Sequence, residues 1–217
     1  MYINIVKDSF RVVGKEPIKI DFKYTPNRDR LFETIKIYNG KAYNLDYHQK
    51  RLDRAFLELF KRGSFSLKEA LKGAPKDGLY RAKLIYNKDG LIDCSFFRYQ
   101  KKQIFKIALV ELSNIEYSYK YLDRAIFDML YSKFDFDEFI ITKDGYLRDT
   151  TIANIALLHK SGLWHTPKEP LLEGVTRQRY LESLKLIKKM IHYRNLNEYL
   201  KLATLNAMVD FNILEGK

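Results

Sequence analysis

The sequence predicts an α+β fold in two lobes, on three observations. Strand patterns and turn signals crowd the first hundred residues, broken only by two helical stretches. The second half mixes strands with helical runs of its own. Between them Lys101-Lys102-Gln103 is polar and charged, a natural seam. The expected division is a small N-terminal α+β domain over 1–102 and a C-terminal domain over 103–217. A chain of 217 residues is ample for such cores. Repeats and low-complexity tracts are absent.

In chain order, 18–24 (IKIDFKY) alternates as a strand does, and so does 33–38 (ETIKIY). Asn39-Gly40 is a type I′ hairpin signal before Lys41. Asp46 is placed to cap a helix reaching about Phe60, with Leu52, Phe56 and Leu59 on one face. Ser66 and Glu69 make a capping box for a short helix over 67–73. Strands follow at 79–86 and 91–99, joined by a turn at 87–90, and then at 104–112. A helix is expected over 121–134, with Lys120 opening it. Strands are expected over 138–142 and 150–159, a short apolar piece over 163–166, and a long basic helix over 175–191. The end, 203–214, is apolar and small.

Hydrophobic content of 46% and charged content of 30% suit a globular protein. The net charge of +12 invites a nucleic-acid reading. The basic residues are spread along the chain with no block of five or six like charges, so no nucleic-acid partner is expected. The charge does suit a small anionic substrate. Cys94 is the lone cysteine, no apolar run approaches a membrane span, and MYINIVKDSF lacks the layout of a signal peptide. The expectation is a cytoplasmic protein with no membrane partner. His48, His159, His165 and His192 share no metal-ligand spacing, so no metal is expected.

Three stretches between Tyr117 and Arg179 hold side chains that one chemistry would need together. Lys120 is either a solvated surface lysine or an amine brought toward nucleophilic range by Tyr117, Tyr119 and Tyr121. Asp149 either pairs with Arg148 at the surface or, since neighbouring strand residues diverge, faces a pocket. Gly174-Val175-Thr176 is either a plain helix start or an anion site of backbone N–H groups and a hydroxyl. Arg81 either faces water or pairs with phosphate oxygens. A lysine for a Schiff base, a carboxylate for a pyridinium and a helix start for a phosphate are the fittings of a pyridoxal-phosphate site.

The series LFETIKIYNGKAYNLDYHQKRLDRA (31–55), YRAKLIY, YKYLDRA, DEFIITKDGYLRDTTIANIAL, EGVTRQR and LNAM resembles the class IV aminotransferase family, the fold-type IV pyridoxal-phosphate enzymes. The resemblance implies a fold like that of D-amino-acid aminotransferase, with a barrel-like C-terminal domain and a site between two domains. It also implies a homodimer and bound pyridoxal 5'-phosphate. Residue by residue, Lys120 matches the Schiff-base lysine and Arg81 the phosphate arginine. Val175 and Thr176 match the phosphate turn, and Asn206 and Ala207 a second loop closing on it. Asp149 stands where the family has glutamate, five residues before Asn154. Phe32-Glu33-Thr34, Lys120 to Arg124 and Asn206-Ala207-Met208 look like the aminodeoxychorismate lyases, in which a threonine at the Thr34 position contributes to catalysis. The implied reaction releases pyruvate from 4-amino-4-deoxychorismate to give 4-aminobenzoate, a folate precursor. The alternatives are a class IV aminotransferase acting on branched-chain or D-amino acids, and a non-catalytic binding protein on this scaffold.

Overall fold

A computed structural model describes residues 11–215. It forms two compact units. The larger holds the described residues up to Thr25, Lys102–Ser118 and those from Arg124 onward; the smaller holds Pro26–Lys101 and Tyr119–Asp123. Where the sequence suggests one cut after residue 102, backbone pairing interleaves the chain. Strand β1 (Arg11–Lys19) pairs in parallel with β6 (Lys106–Glu111), which carries the start of the chain into the larger unit. Residues 119–123 pair instead with the smaller unit's sheet.

The smaller unit is an antiparallel sheet in the order β3-β2-β4-β5: β2 is Leu31–Tyr38, β3 Lys41–Ala42, β4 Leu79–Asn87 and β5 Gly90–Arg98. The hairpin turn is the expected one: Asn39 and Gly40 both have positive φ, at 47° and 75°. Alternation gives β2 two faces. Leu31, Glu33, Ile35 and Ile37 are fully buried, while Thr34 and Lys36 are half-buried and Tyr38 exposed.

Helix α1 (Leu45–Ala55) runs on into one π-helical turn at Phe56–Phe60. Its cap is Asn44 in the left-handed region; Asp46 lies in the first turn instead of capping. Phe56 stacks on Tyr86 of β4 and meets Phe60 and Phe65 edge-on. Ser66 caps α2 by accepting from the Glu69 N–H, but this helix ends at Ala70.

The larger unit has two open sheets; among the described residues neither closes into a barrel. One runs β1-β6-β7-β8, with β7 at Glu138–Lys143 and β8 at Tyr146–Thr150. The other runs β11-β10-β9-β12-β13: β9 is Asn154–His159, β10 Trp164–Pro167, β11 Ile187–Lys189, β12 Tyr199–Asn206 and β13 Asp210–Ile213. Val12, Ile107, Leu109 and Ile140 from the first sheet share a buried cluster with Ile155, Leu157 and Leu202 from the second.

Four expected elements differ. The single strand read over 150–159 is broken at 151–153, with β8 ending at Thr150 and β9 starting at Asn154. The strand read at 18–24 begins at Arg11 and ends at Lys19, leaving Tyr24 with one isolated bridge to Ile115. Helix α3 spans Ala125–Lys133, so Lys120 precedes the helix. Helix α4 spans Val175–Glu182, not 175–191. It stops because Leu184 takes a left-handed φ of 56° and the Lys185 N–H reaches back to the Tyr180 carbonyl, the closure of a Schellman motif. A glycine usually marks that motif, and none is present to reveal it. No described helix is long and apolar enough to cross a membrane.

Candidate functional site

In the larger unit the strand connection from β8 to β9 fixes the candidate carboxylate. A tight turn joins them: the Thr150 N–H donates to the Ala153 carbonyl, and the Ala153 N–H donates to Thr150 Oγ1. Buried Glu138 pins this turn, its Oε1 accepting from Thr151 N, Thr151 Oγ1 and the Tyr131 hydroxyl. Asp149 at the end of β8 is thereby held inward, 4% exposed. Its Oδ1 accepts from Asn154 Nδ2 at 2.7 Å and its Oδ2 from the Leu172 N–H at 2.9 Å. Burial pushes the carboxyl up to about 7, against hydrogen bonds from Asn154 and Leu172 and the more distant charge of Arg177. Asp149 has no ion-pair partner among the described residues. A protonated ring nitrogen is the kind of group that would satisfy it.

Asn154 links this carboxylate to the anion-holding helix start. Its Nδ2 also donates to the Leu172 carbonyl, and its Oδ1 presses on Gly174, the residue capping α4. A Cβ at Gly174 would lie 1.9 Å from Asn154 Oδ1, so only glycine fits. Gly174→Ala should therefore destabilise the protein by roughly 1–3 kcal/mol, and Asn154→Gly should recover part of that loss in the double variant, as thermal melts would show. Just inside the helix Thr176 is 2% exposed and its Oγ1 has no hydrogen-bond partner. A buried hydroxyl beside first-turn N–H groups suits a phosphate. The turn at Asn206-Ala207, between β12 and β13, is closed by Asn206 Oδ1, which accepts from the Met208 and Val209 N–H groups. An Arg179–Asp210 ion pair ties α4 to that hairpin. The larger unit thus brings Asp149, Asn154, Val175 and Thr176 together and links them to the hairpin carrying Asn206 and Ala207.

In the smaller unit Lys120 sits in the extended segment along β2. Its carbonyl accepts from the Phe32 N–H at 2.9 Å, and its Nζ lies 4.4 Å from the centre of the Phe32 ring. Thr34 stands two residues along β2 on the same face as Phe32. Directly across from Thr34 on β4 is Lys83, whose Nζ lies 5.6 Å from the same ring. Arg81 follows on that face, exposed, its guanidinium 5.2 Å over the Phe97 ring.

On the other face of β2 lies a buried charged cluster that the sequence reading missed. Glu33 accepts from Arg51 Nε at 2.8 Å and Nη2 at 2.6 Å, and from His48 Nδ1 at 2.7 Å. Burial opposes its charge, yet Arg51 and His48 bring the Glu33 carboxyl down to about 2. Burial pushes His48 down, so it is neutral at pH 7 and its Nδ1 donates to Glu33. The signal in the sequence is the spacing of His48 and Arg51, three residues apart and so on one side of α1. Arg177 was likewise overlooked: its fully buried guanidinium bonds Glu173, Thr166 and the Pro167 carbonyl, bracing the first turn of α4. Among the described residues no group of three His, Cys, Asp or Glu is arranged to hold a metal.

No protein-family model matches the chain. A solved structure described as a "putative 4-amino-4-deoxychorismate lyase" of Haemophilus somnus 129pt is 32% identical, with a TM-score of 0.75 over 83% of this chain and 97% of that one. An uncharacterized protein of Haemophilus influenzae is 31% identical over 185 residues, 82% of this chain and 97% of the relative. A hypothetical aminotransferase of Mycobacterium tuberculosis, in its PLP-bound form, shares the fold at 14% identity, with a TM-score of 0.72 over 95% of this chain and 87% of that one. The chain belongs to the class IV aminotransferase family, the fold-type IV pyridoxal-phosphate enzymes, and is an enzyme of that kind.

Proposed function

We propose that the protein is a pyridoxal-phosphate-dependent 4-amino-4-deoxychorismate lyase that works in the cytoplasm as a homodimer. The single observation carrying the reading is that Lys120 and Thr34 are set on one face by Phe32. A hydroxyl on the lysine's face of the sheet is what cleavage of an ether oxygen asks for and what transamination does not. Support also comes from the 32% identical relative described as a lyase of this substrate.

When bound, pyridoxal phosphate supplies an electron sink for the pair released as a proton leaves the amine-bearing carbon. Lys120 Nζ takes that proton. Thr34 Oγ1 donates to the enolpyruvyl oxygen as it departs, and aromatisation drives the release of pyruvate and 4-aminobenzoate. The Asp149 carboxylate keeps the proton on the ring nitrogen, with Asn154 orienting it. The backbone of Val175 and Thr176, the Thr176 hydroxyl and the Asn206-Ala207 turn receive the phosphate. Arg81, exposed over Phe97, is assigned no phosphate role in this reading.

Supplying aminodeoxychorismate and following pyruvate and 4-aminobenzoate tests the proposal. Both products should form, and Lys120→Ala should cut the rate by roughly 10²–10⁴-fold while abolishing the visible band of the lysine-bound cofactor. Turnover of an amino acid with 2-oxoglutarate, and none of aminodeoxychorismate, would establish the second reading, an aminotransferase. That reading is favoured by the aminotransferase names among its structural neighbours.

A further inference from the structure

The smaller unit carries most of the protein's net positive charge. It holds 18 Lys and Arg against 10 Asp and Glu, a net +8 out of the chain's +12. Part of that excess lies on one face of its sheet, where Lys36, Arg81 and Lys83 alternate with apolar side chains. Lys36 shares the Tyr43 ring with Lys41, and Arg81 lies over the Phe97 ring. Lys83 shares the Phe32 ring with Lys120. With Lys120 taken up by the cofactor in the proposed enzyme, Lys83 is the ammonium that remains at that ring to receive an anion.

Lys83 is half-buried and makes no ion pair among the described residues. Of the acids nearby, Glu33 points through the sheet to Arg51 and His48, and Asp93 accepts from Ser95 Oγ across from Lys83 without forming an ion pair with it.

From this placement we propose that Lys83 is the specificity-determining residue that binds the carboxylate of the substrate's enolpyruvyl group. This rests on the lyase reading and on Thr34 addressing the departing oxygen. In an enolpyruvyl ether, the carboxylate is joined to the same carbon as that oxygen. A cation that reads it must therefore stand beside Thr34. Lys83 is the residue directly opposite Thr34, and side chains so paired begin about 4.5–5.5 Å apart. Lys83 favours a substrate with a second carboxylate over a simple amino acid, which lacks one at this point. It also neutralises the leaving group as its oxygen takes up charge.

The test uses the cofactor-loaded protein and two probes in calorimetric titrations. Chorismate carries both carboxylates and the enolpyruvyl ether, but a hydroxyl in place of the amine, so it binds without reacting at the cofactor. 4-Aminobenzoate carries only the ring carboxylate. Lys83→Met should weaken chorismate binding by roughly 10- to 100-fold and leave 4-aminobenzoate within about twofold. Lys83→Arg should retain most of the chorismate affinity. With aminodeoxychorismate, Lys83→Met should raise KM more than it lowers kcat, and the visible band of the lysine-bound cofactor should be unchanged. Equal effects on both probes, no effect on either, or a wild-type protein that fails to bind chorismate would overturn the proposal. Lys83-dependent chorismate binding without pyruvate release from aminodeoxychorismate would remove the lyase reading and leave the carboxylate subsite standing.

Discussion

Replacing Asp149 with asparagine should stabilise the cofactor-free protein above pH 7 while crippling the loaded enzyme. The carboxyl is 4% exposed and has only neutral donors within hydrogen-bond reach, so ionising it inside the fold is costly. Its pKa rises from 3.8 to about 7 on folding. Between those values the folded state holds a proton that the unfolded chain has released. Stability from this group is therefore full below about pH 4, falls as pH climbs to about 7, and is flat beyond. The span corresponds to about 4 kcal/mol. An asparagine cannot ionise, so thermal melts of the apo variant should lose that decline; a slope matching the wild type's would refute the assignment. Asn154 Nδ2 would face a new amide there, which trims the gain. In the role proposed for Asp149 a ring-nitrogen proton supplies the missing positive charge in the loaded wild type, so cofactor should restore stability most above pH 7. The variant forfeits that pairing, and its turnover should fall by roughly 10²–10³-fold. A group that destabilises the empty protein and serves the loaded one is an expected trade.

How much of this arrangement could be read from the chain depends on whether the signal was local. Asn39-Gly40 announces its hairpin because two consecutive left-handed residues are something few dipeptides tolerate. Asp149 and Thr176 stood out because a strand run and a helix start carry their own patterns; the structure sets Asp149 at the end of β8 beside Asn154, and Thr176 in the first turn of α4. Lys120 was misplaced as an element. The run from Tyr121 reads as a helix, yet the Tyr121 and Leu122 backbones pair with Leu31 of β2 and with Arg30 just before it, which no local pattern encodes. The same limit hid β11, whose three exposed residues follow a helix stop lacking its usual glycine. Lys83 and the Glu33 cluster were invisible for a related reason. Each is defined by a cross-strand or helix-to-strand partner, and only register shows which face a side chain takes.

Removing Glu33 should have the largest effect on stability of any substitution in the smaller unit. Glu33→Ala would leave the Arg51 guanidinium, 11% exposed, and fully buried His48 without their acceptor. Breaking one side of a buried pair costs about 3–5 kcal/mol, which chemical denaturation would measure. The pH signature runs opposite to that of Asp149. Glu33 titrates at about 2 in the fold against 4.5 otherwise, so its stabilisation is present above about pH 4.5 and lost as pH falls toward 2. Wild type and Glu33→Ala should therefore converge in stability at acid pH and diverge above it. Replacing both partners, as Glu33→Met with Arg51→Met, separates a lost charge from a lost shape. An apolar pair of similar volume should recover part of the stability, since taking two charges into the interior offsets much of their attraction, while the buried His48 N–H still lacks its acceptor. Activity should not recover with it. Glu33 anchors one face of β2, and on the other Phe32 contacts Lys120 and Thr34 stands where the proposed reading has it address the substrate. A double variant that folds well but turns over slowly would show that the buried pair sets the aim of β2. A double variant as active as the wild type would reduce the pair to a structural filler.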